Sequence, residues 1–271
     1  MRFSGGPEPM PPDSERMVVE RAGLMRIARR SDVPLETILD AVSASGDVLK
    51  RSGKSLTKRA GDFIVKSSEG ALALQLVKHT MQRSRYRRGW CAAQYLAQHN
   101  IPAPRPVAHV EWGGAGIIWR HATVIQYIRG CEDVEHYYDA RISEGASRTW
   151  CEQYLVRLAE AVNALTATGA IHTDLAGKNI LTRDGETFCA IDLDGIVLGE
   201  PFDEERRLQC HVQLYDSFVD RCDDTLLAAF LKAMLPPEYP QFETWFARVK
   251  AMQAVRRART VAAWEREGKL R

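Results

Sequence analysis

Apolar positions change their period several times along this chain, and each change predicts an element. Leu35, Ile38, Leu39 and Val42 recur at helical spacing and predict a short helix over 34–44, with Ser31 or Asp32 near its start. From Gly46 the period becomes that of strands. Runs at 47–51, 55–59 and 63–67 are divided by Ser52-Gly53-Lys54 and Ala60-Gly61-Asp62, which predicts a three-stranded meander. Tyr86, Trp90, Ala93 and Leu96 mark one face of a helix over 84–99, stopped at Asn100 and Pro102. A stiff extended link, Ile101-Pro102-Ala103-Pro104-Arg105-Pro106, leads to strands at 107–112 and 117–128 about a loose glycine turn, 113–116.

The second half reads as helical, with one short hairpin. Trp150, Tyr154, Leu158, Val162 and Leu165 form the buried stripe of a helix over 150–168, with Thr149 and Glu152 as an expected capping box. Short strands at 179–181 and 187–191 flank Arg183-Asp184-Gly185, and Asp-Gly between such runs is a strong hairpin signal. Helices are expected near 203–221, 224–234 and 240–266, the last with Trp245, Val249, Met252 and Val255 on one face. Residues 1 to about 15 read as disordered.

Composition adds limits. At 271 residues the chain is long for one compact core and sufficient for two lobes. A formal charge of +2 favours no particular partner, and no nucleic acid is expected. The six cysteines lack a CxxC pair, so they read as reduced thiols, and Cys210-His211 with Cys222 reads as helix packing. No apolar run reaches bilayer length and no signal peptide is visible, so a cytoplasmic protein is expected.

The chemistry concentrates between Ala170 and Gly195. His172-Thr173-Asp174 is followed by Asn179, and Asp192 ends the apolar run Phe188-Cys189-Ala190-Ile191. Folded back along the hairpin, Asp174, Asn179 and Asp192 can converge on one edge. Oxygen donors so gathered suit Mg²⁺, whose shell nucleotide phosphates usually complete. Glycine 53 with Lys54-Ser55 mimics the end of a Walker A loop. The glycine required five places earlier is Val48, which excludes the P-loop reading.

The pattern H-x-D-x-x-x-x-N followed by a second Asp resembles the catalytic core of the protein-kinase-like fold. That resemblance implies an α+β, two-lobed protein-kinase-like fold, with a small β-rich N-lobe and a larger helical C-lobe. Residues 1–45 would be an N-terminal extension, 46–127 the N-lobe and 128–271 the C-lobe. Asp174 would receive or orient the acceptor hydroxyl's proton, Lys178 would neutralise the moving phosphoryl group or stay solvated, and Asn179 and Asp192 would hold Mg²⁺. Lys66, closing Phe63-Ile64-Val65-Lys66, would pair with ATP phosphates. Gly53 sits at the tip of the phosphate-covering turn, and Gln126 and Ile128 fall at the hinge. His172 would organise the loop from a buried position. Asp192-Leu193-Asp194-Gly195 replaces D-F-G and no A-P-E follows, which weighs against a protein substrate.

Phe-Ile-Val-Lys, the helix running into Ile-Pro-Ala-Pro-Arg-Pro-Val-Ala, and IHTDLAGKNIL…AIDLDG together resemble the lipopolysaccharide-core kinases, the Kdo and heptose kinases, over roughly 46–195. This implies an ATP-dependent kinase acting on a sugar hydroxyl of lipopolysaccharide core or a related glycolipid. A soluble small-molecule or atypical Ser/Thr protein kinase, or a nucleotide-binding pseudokinase, are the other readings. Where that family commonly has R-x-E-W, this chain has Arg87-Arg88-Gly89-Trp90, and 70–110 contains no acid. Glu69 or Gln94 could orient Lys66 instead. The cations of that span, Lys78, Arg83, Arg85, Arg87 and Arg88, suggest peripheral contact with an anionic membrane surface, on the inner face of the cell membrane.

Overall fold

The computed structural model describes residues 16–52, 55–68, 84–236, 239 and 241–266. The expected disorder at 1–15, the Gly53 turn tip, Glu69, Lys78 and Arg83 lie outside these residues. The chain divides into two units, one of residues up to 94 with 104–127, the other of 95–103 with 128–271.

The first unit is built on a seven-stranded antiparallel sheet. Its strands are β1 (Met17–Ala22), β2 (Met25–Arg30), β3 (Asp47–Ser52), β4 (Ser55–Ala60), β5 (Phe63–Ser68), β6 (Pro106–Gly114) and β7 (Ile117–Gln126), in the order β1-β2-β6-β7-β5-β4-β3. The expected meander is β3 to β5. Residues 17–30, read from the sequence as part of an extension, instead form two strands of this same sheet, β2 pairing with β6. Gly23 opens their two-residue turn with φ +59°, a conformation that glycine adopts without penalty.

Each face of the sheet carries a helix. Helix α1 (Leu35–Ser43) buries Ile38, Ala41 and Val42 against Ile27, Val65, Ala108, Val110, Ala122 and Val124. Burying such a side chain contributes roughly 1.5–3 kcal/mol. The buried Lys58 ammonium donates to Val42 O, 2.8 Å, and to Ala44 O, closing the C-terminal end of α1. Helix α2 (Arg85–Gln98) sets Tyr86 and Trp90 against the opposite face, stacked on His121 and His109.

In the second unit β8 (Glu132–Asp133) leads into α3 (Val134–Ser143) and α4 (Arg148–Ala167). The α4 stripe is buried as expected at Tyr154, Leu158, Val162 and Leu165. Its cap differs from the expected Thr149–Glu152 box. Ser147 accepts from Trp150 N at 3.2 Å, because the helix starts two residues earlier. Then come β9 (Ala170–His172), a 3₁₀ turn (Gly177–Asn179), β10 (Ile180–Thr182), β11 (Phe188–Ala190), a second 3₁₀ turn (Leu193–Gly195) and β12 (Ile196–Leu198). Strands β11, β10 and β8 form one small sheet, and β12 pairs with β9. Helices α5 (Glu204–Phe218), α6 (Asp224–Ala233) and α7 (Phe242–Arg266) complete the unit. Asp203 and Asp223 cap α5 and α6 by accepting from Arg206 N and Leu226 N. His211, on α5, accepts from Trp245 Nε1 at 2.9 Å, so Cys210-His211 is helix packing. Among the described residues no helix is long and apolar enough to cross a membrane.

Candidate active site

The loop after β9 is fixed by hydrogen bonds that leave little freedom. His172 is 4% exposed. Its Nε2 lies 2.8 Å from Ile191 O, which can only accept, so Nε2 carries the proton. Nδ1 then accepts from Asp174 N at 3.2 Å. Burial pushes the imidazole's pKa below its ordinary value, which keeps this neutral tautomer. One ring thus ties the start of the loop to the residue preceding Asp192.

Asp174 follows with a side chain 45% exposed, reachable by an acceptor. Asn179 is buried, and its Nδ2 donates to Asp174 O at 2.7 Å and to Asp174 Oδ2 at 3.1 Å. Asn179 O in turn accepts from Ile191 N at 2.9 Å. That bond holds the backbone just before Asp192 against Asn179. Asp192 has φ +59° and ψ 46°, a left-handed conformation uncommon for a residue with a Cβ. Lys178 Nζ lies 3.9 Å from Asp174 Oδ2 and is 65% exposed.

A second layer holds the loop from below, and nothing in the motif announces it. Gln213 of α5 accepts from Leu175 N at 2.6 Å and donates to Thr173 O at 2.9 Å. One turn on, Ser217 accepts from Gly177 N at 2.8 Å. Glu135 of α3 accepts from Lys178 N at 3.2 Å, and Arg221 links Glu135, Asp139 and Ser217 O. A Cβ at Gly177 would lie 2.6 Å from Glu135 Cγ, so any larger residue would push the Glu135 side chain off the loop. The sequence signal for this layer is slight: two polar residues at i, i+4 among the buried positions of α5.

The other expected site residues belong to the first unit or to the connection. Lys66 lies on β5, opposite Thr57 of β4 and Thr123 of β7. Gln126 ends β7 with its N–H donated to Arg105 O at 2.9 Å, and Ile128 opens the longer segment of the second unit. Of the basic span, Arg85 and Arg88 are exposed, whereas Arg87 turns inward to Glu111, 3.7 Å away. The missing acid is therefore supplied to that arginine by β6, just beyond the acid-free stretch.

The model of the lipopolysaccharide kinase (Kdo/WaaP) family matches residues 52–216, more than half of the chain, including the loop, the hairpin and the α5 anchor Gln213. Among solved structures, WaaP in complex with acyl carrier protein superposes with a TM-score of 0.63 at 16% identity, covering 80% of this chain and 91% of that one. At that identity the likeness shows the kinase-like fold alone. No curated protein matches the sequence. The chain belongs to the lipopolysaccharide kinase (Kdo/WaaP) family, and is a kinase.

Proposed function

We propose that the protein transfers the terminal phosphoryl group of ATP to a sugar hydroxyl of lipopolysaccharide core or a related glycolipid. The observation that carries this reading is the Asp174–Asn179 pair, with the Asn179 backbone bonded to Ile191, the residue before Asp192. Asp174, half-buried and tied by Asn179, would orient the acceptor hydroxyl and take its proton. Phosphoryl transfer needs positioning and charge neutralisation more than covalent chemistry, which a rigid loop serves well.

The donor chemistry fits Mg²⁺. Among the described residues the side-chain amide of Asn179 is bonded through Nδ2, its Oδ1 is an oxygen donor, and Asp192 adds carboxylate oxygens; hard cations take such donors. When bound there, the ion supplies charge neutralisation to nucleotide phosphates. Lys178, 3.9 Å from Asp174 Oδ2, would neutralise the transferred group, and Lys66 and Gly53 would contact nucleotide phosphates. The backbone of 126–128 would meet the adenine. In this reading residues 46–127 bind nucleotide, 128–271 carry acceptor and catalysis, and the protein works at the cytoplasmic face of the membrane.

The test is direct: purified protein, labelled ATP with Mg²⁺, and lipopolysaccharide core as acceptor. Label in the glycolipid that chemical analysis places on a sugar hydroxyl supports the reading. Label transferred only to protein or to soluble metabolites would refute the acceptor class.

A further inference from the structure

The face of the seven-stranded sheet beneath α2 holds a cluster that phosphoryl transfer does not use. His109 and Glu111 of β6 face Thr123 and His121 of β7 across the ladder. All four are buried, His121 completely and the others to within 6%. Burying a carboxylate beside two imidazoles is costly unless every polar atom has a partner.

Hydrogen-bond accounting leaves a gap. Thr123 Oγ1 donates to Tyr86 O at 3.2 Å, so its lone pairs face His109 Nδ1, 3.1 Å away, and Nδ1 carries that ring's proton. Nε2 of the neutral ring then presents a lone pair. It points at Glu111 Oε1, 3.5 Å off, and at His121 Nδ1, 3.3 Å off. Glu111 Oε2 accepts from Arg26 at 2.9 Å, while among the described residues no hydrogen-bond donor reaches the buried Oε1. Arg87 stands at 3.7 Å, in ion-pair range only.

Three ligand atoms therefore converge within 4.8 Å of one another. Zinc bonds of about 2.0–2.1 Å at tetrahedral angles put neighbouring ligand atoms about 3.4 Å apart. The observed separations of 3.3 and 3.5 Å match that edge. The outer contacts are also those of a metal site: Thr123 fixes the tautomer of one histidine, and Arg26 holds the far carboxylate oxygen. We propose that His109, Glu111 and His121 bind Zn²⁺, or another divalent ion that accepts imidazole and carboxylate, as a pin between β6 and β7.

The experiment uses the full chain. Metal content of the purified protein is measured, the protein is stripped with a chelator, and Zn²⁺, Co²⁺ or Mg²⁺ is added back. Expected are one zinc per chain, tetrahedral Co²⁺ absorption bands, and a higher melting temperature with Zn²⁺ but not Mg²⁺. Glu111→Gln and His121→Asn, each checked for native circular dichroism, should weaken Zn²⁺ binding more than roughly tenfold. Wild type that neither retains nor regains zinc would overturn the site, leaving an ion-paired knot of Glu111 with Arg26 and Arg87. Zinc retained equally by both variants would overturn it too, by placing the ion elsewhere. If one variant does not fold, the cobalt spectrum of wild type decides alone.

Discussion

Asn179 Nδ2 donates to both the carbonyl and the carboxylate of Asp174, at 2.7 and 3.1 Å. The pair fixes the carboxylate's direction before any acceptor arrives. Asp174→Asn keeps an acceptor for Asn179 but removes the base. Phosphoryl transfer should fall by roughly 10²-fold or more, with nucleotide affinity nearly unchanged. Steady-state kinetics beside nucleotide titration measure both, and wild-type turnover in the variant would remove Asp174 from the chemistry.

Asp192→Ala should abolish the Mg²⁺-dependent stabilisation by ATP. A ligand at 100-fold excess over Kd stabilises by about 2.7 kcal/mol, enough to read in a thermal melt. The apo variant should melt cooperatively. An undiminished Mg·ATP shift would show that the cation is held elsewhere.

Stability should fall between neutral pH and pH 5.5, in part through His211. Its pKa is pushed down to about 3 by burial, and its Nδ1 is occupied by the Trp245 indole. Below the ordinary histidine pKa of about 6.5 the unfolded chain takes up a proton that the folded chain refuses, so lowering pH favours unfolding. This one group accounts for about 1.4 kcal/mol at pH 5.5. Denaturant unfolding of wild type and His211→Gln at both pH values isolates it. Equal pH dependence in the two proteins would exclude the histidine.

The exposed arginines of α2 offer the membrane test. Arg85→Glu with Arg88→Glu, leaving the Glu111-paired Arg87 intact, should weaken binding to anionic vesicles, at about 1 kcal/mol per cation removed. Co-sedimentation at low and high salt reads this, since screening should mimic the variant. Wild type that fails to sediment at low salt would discard the idea.

Much of the site was legible because it is local. His172 to Asp192 span one loop and one hairpin, and the Asp-Gly turn returns the chain without help from distant residues. What the sequence hid depends on partners far away. Gln213 and Ser217 become loop anchors only once α5 packs beneath Thr173 and Gly177. The alternation His109, Glu111 against Ala108, Val110 reads as one wet and one dry face, yet α2 covers the polar side. Residues 17–30 have only Ile27 fully buried among mixed charges, so their strand signal was faint apart from the Gly23 turn.

The left-handed backbone of Asp192 sets two selective pressures against each other at one codon. Glycine would relieve a penalty of roughly 1 kcal/mol there, so Asp192→Gly should melt no lower than Asp192→Ala, and a path to a sturdier protein runs through it. That same single-base path discards the carboxylate. If the carboxylate holds the cation, a lineage released from the need to phosphorylate would be expected to lose this aspartate early.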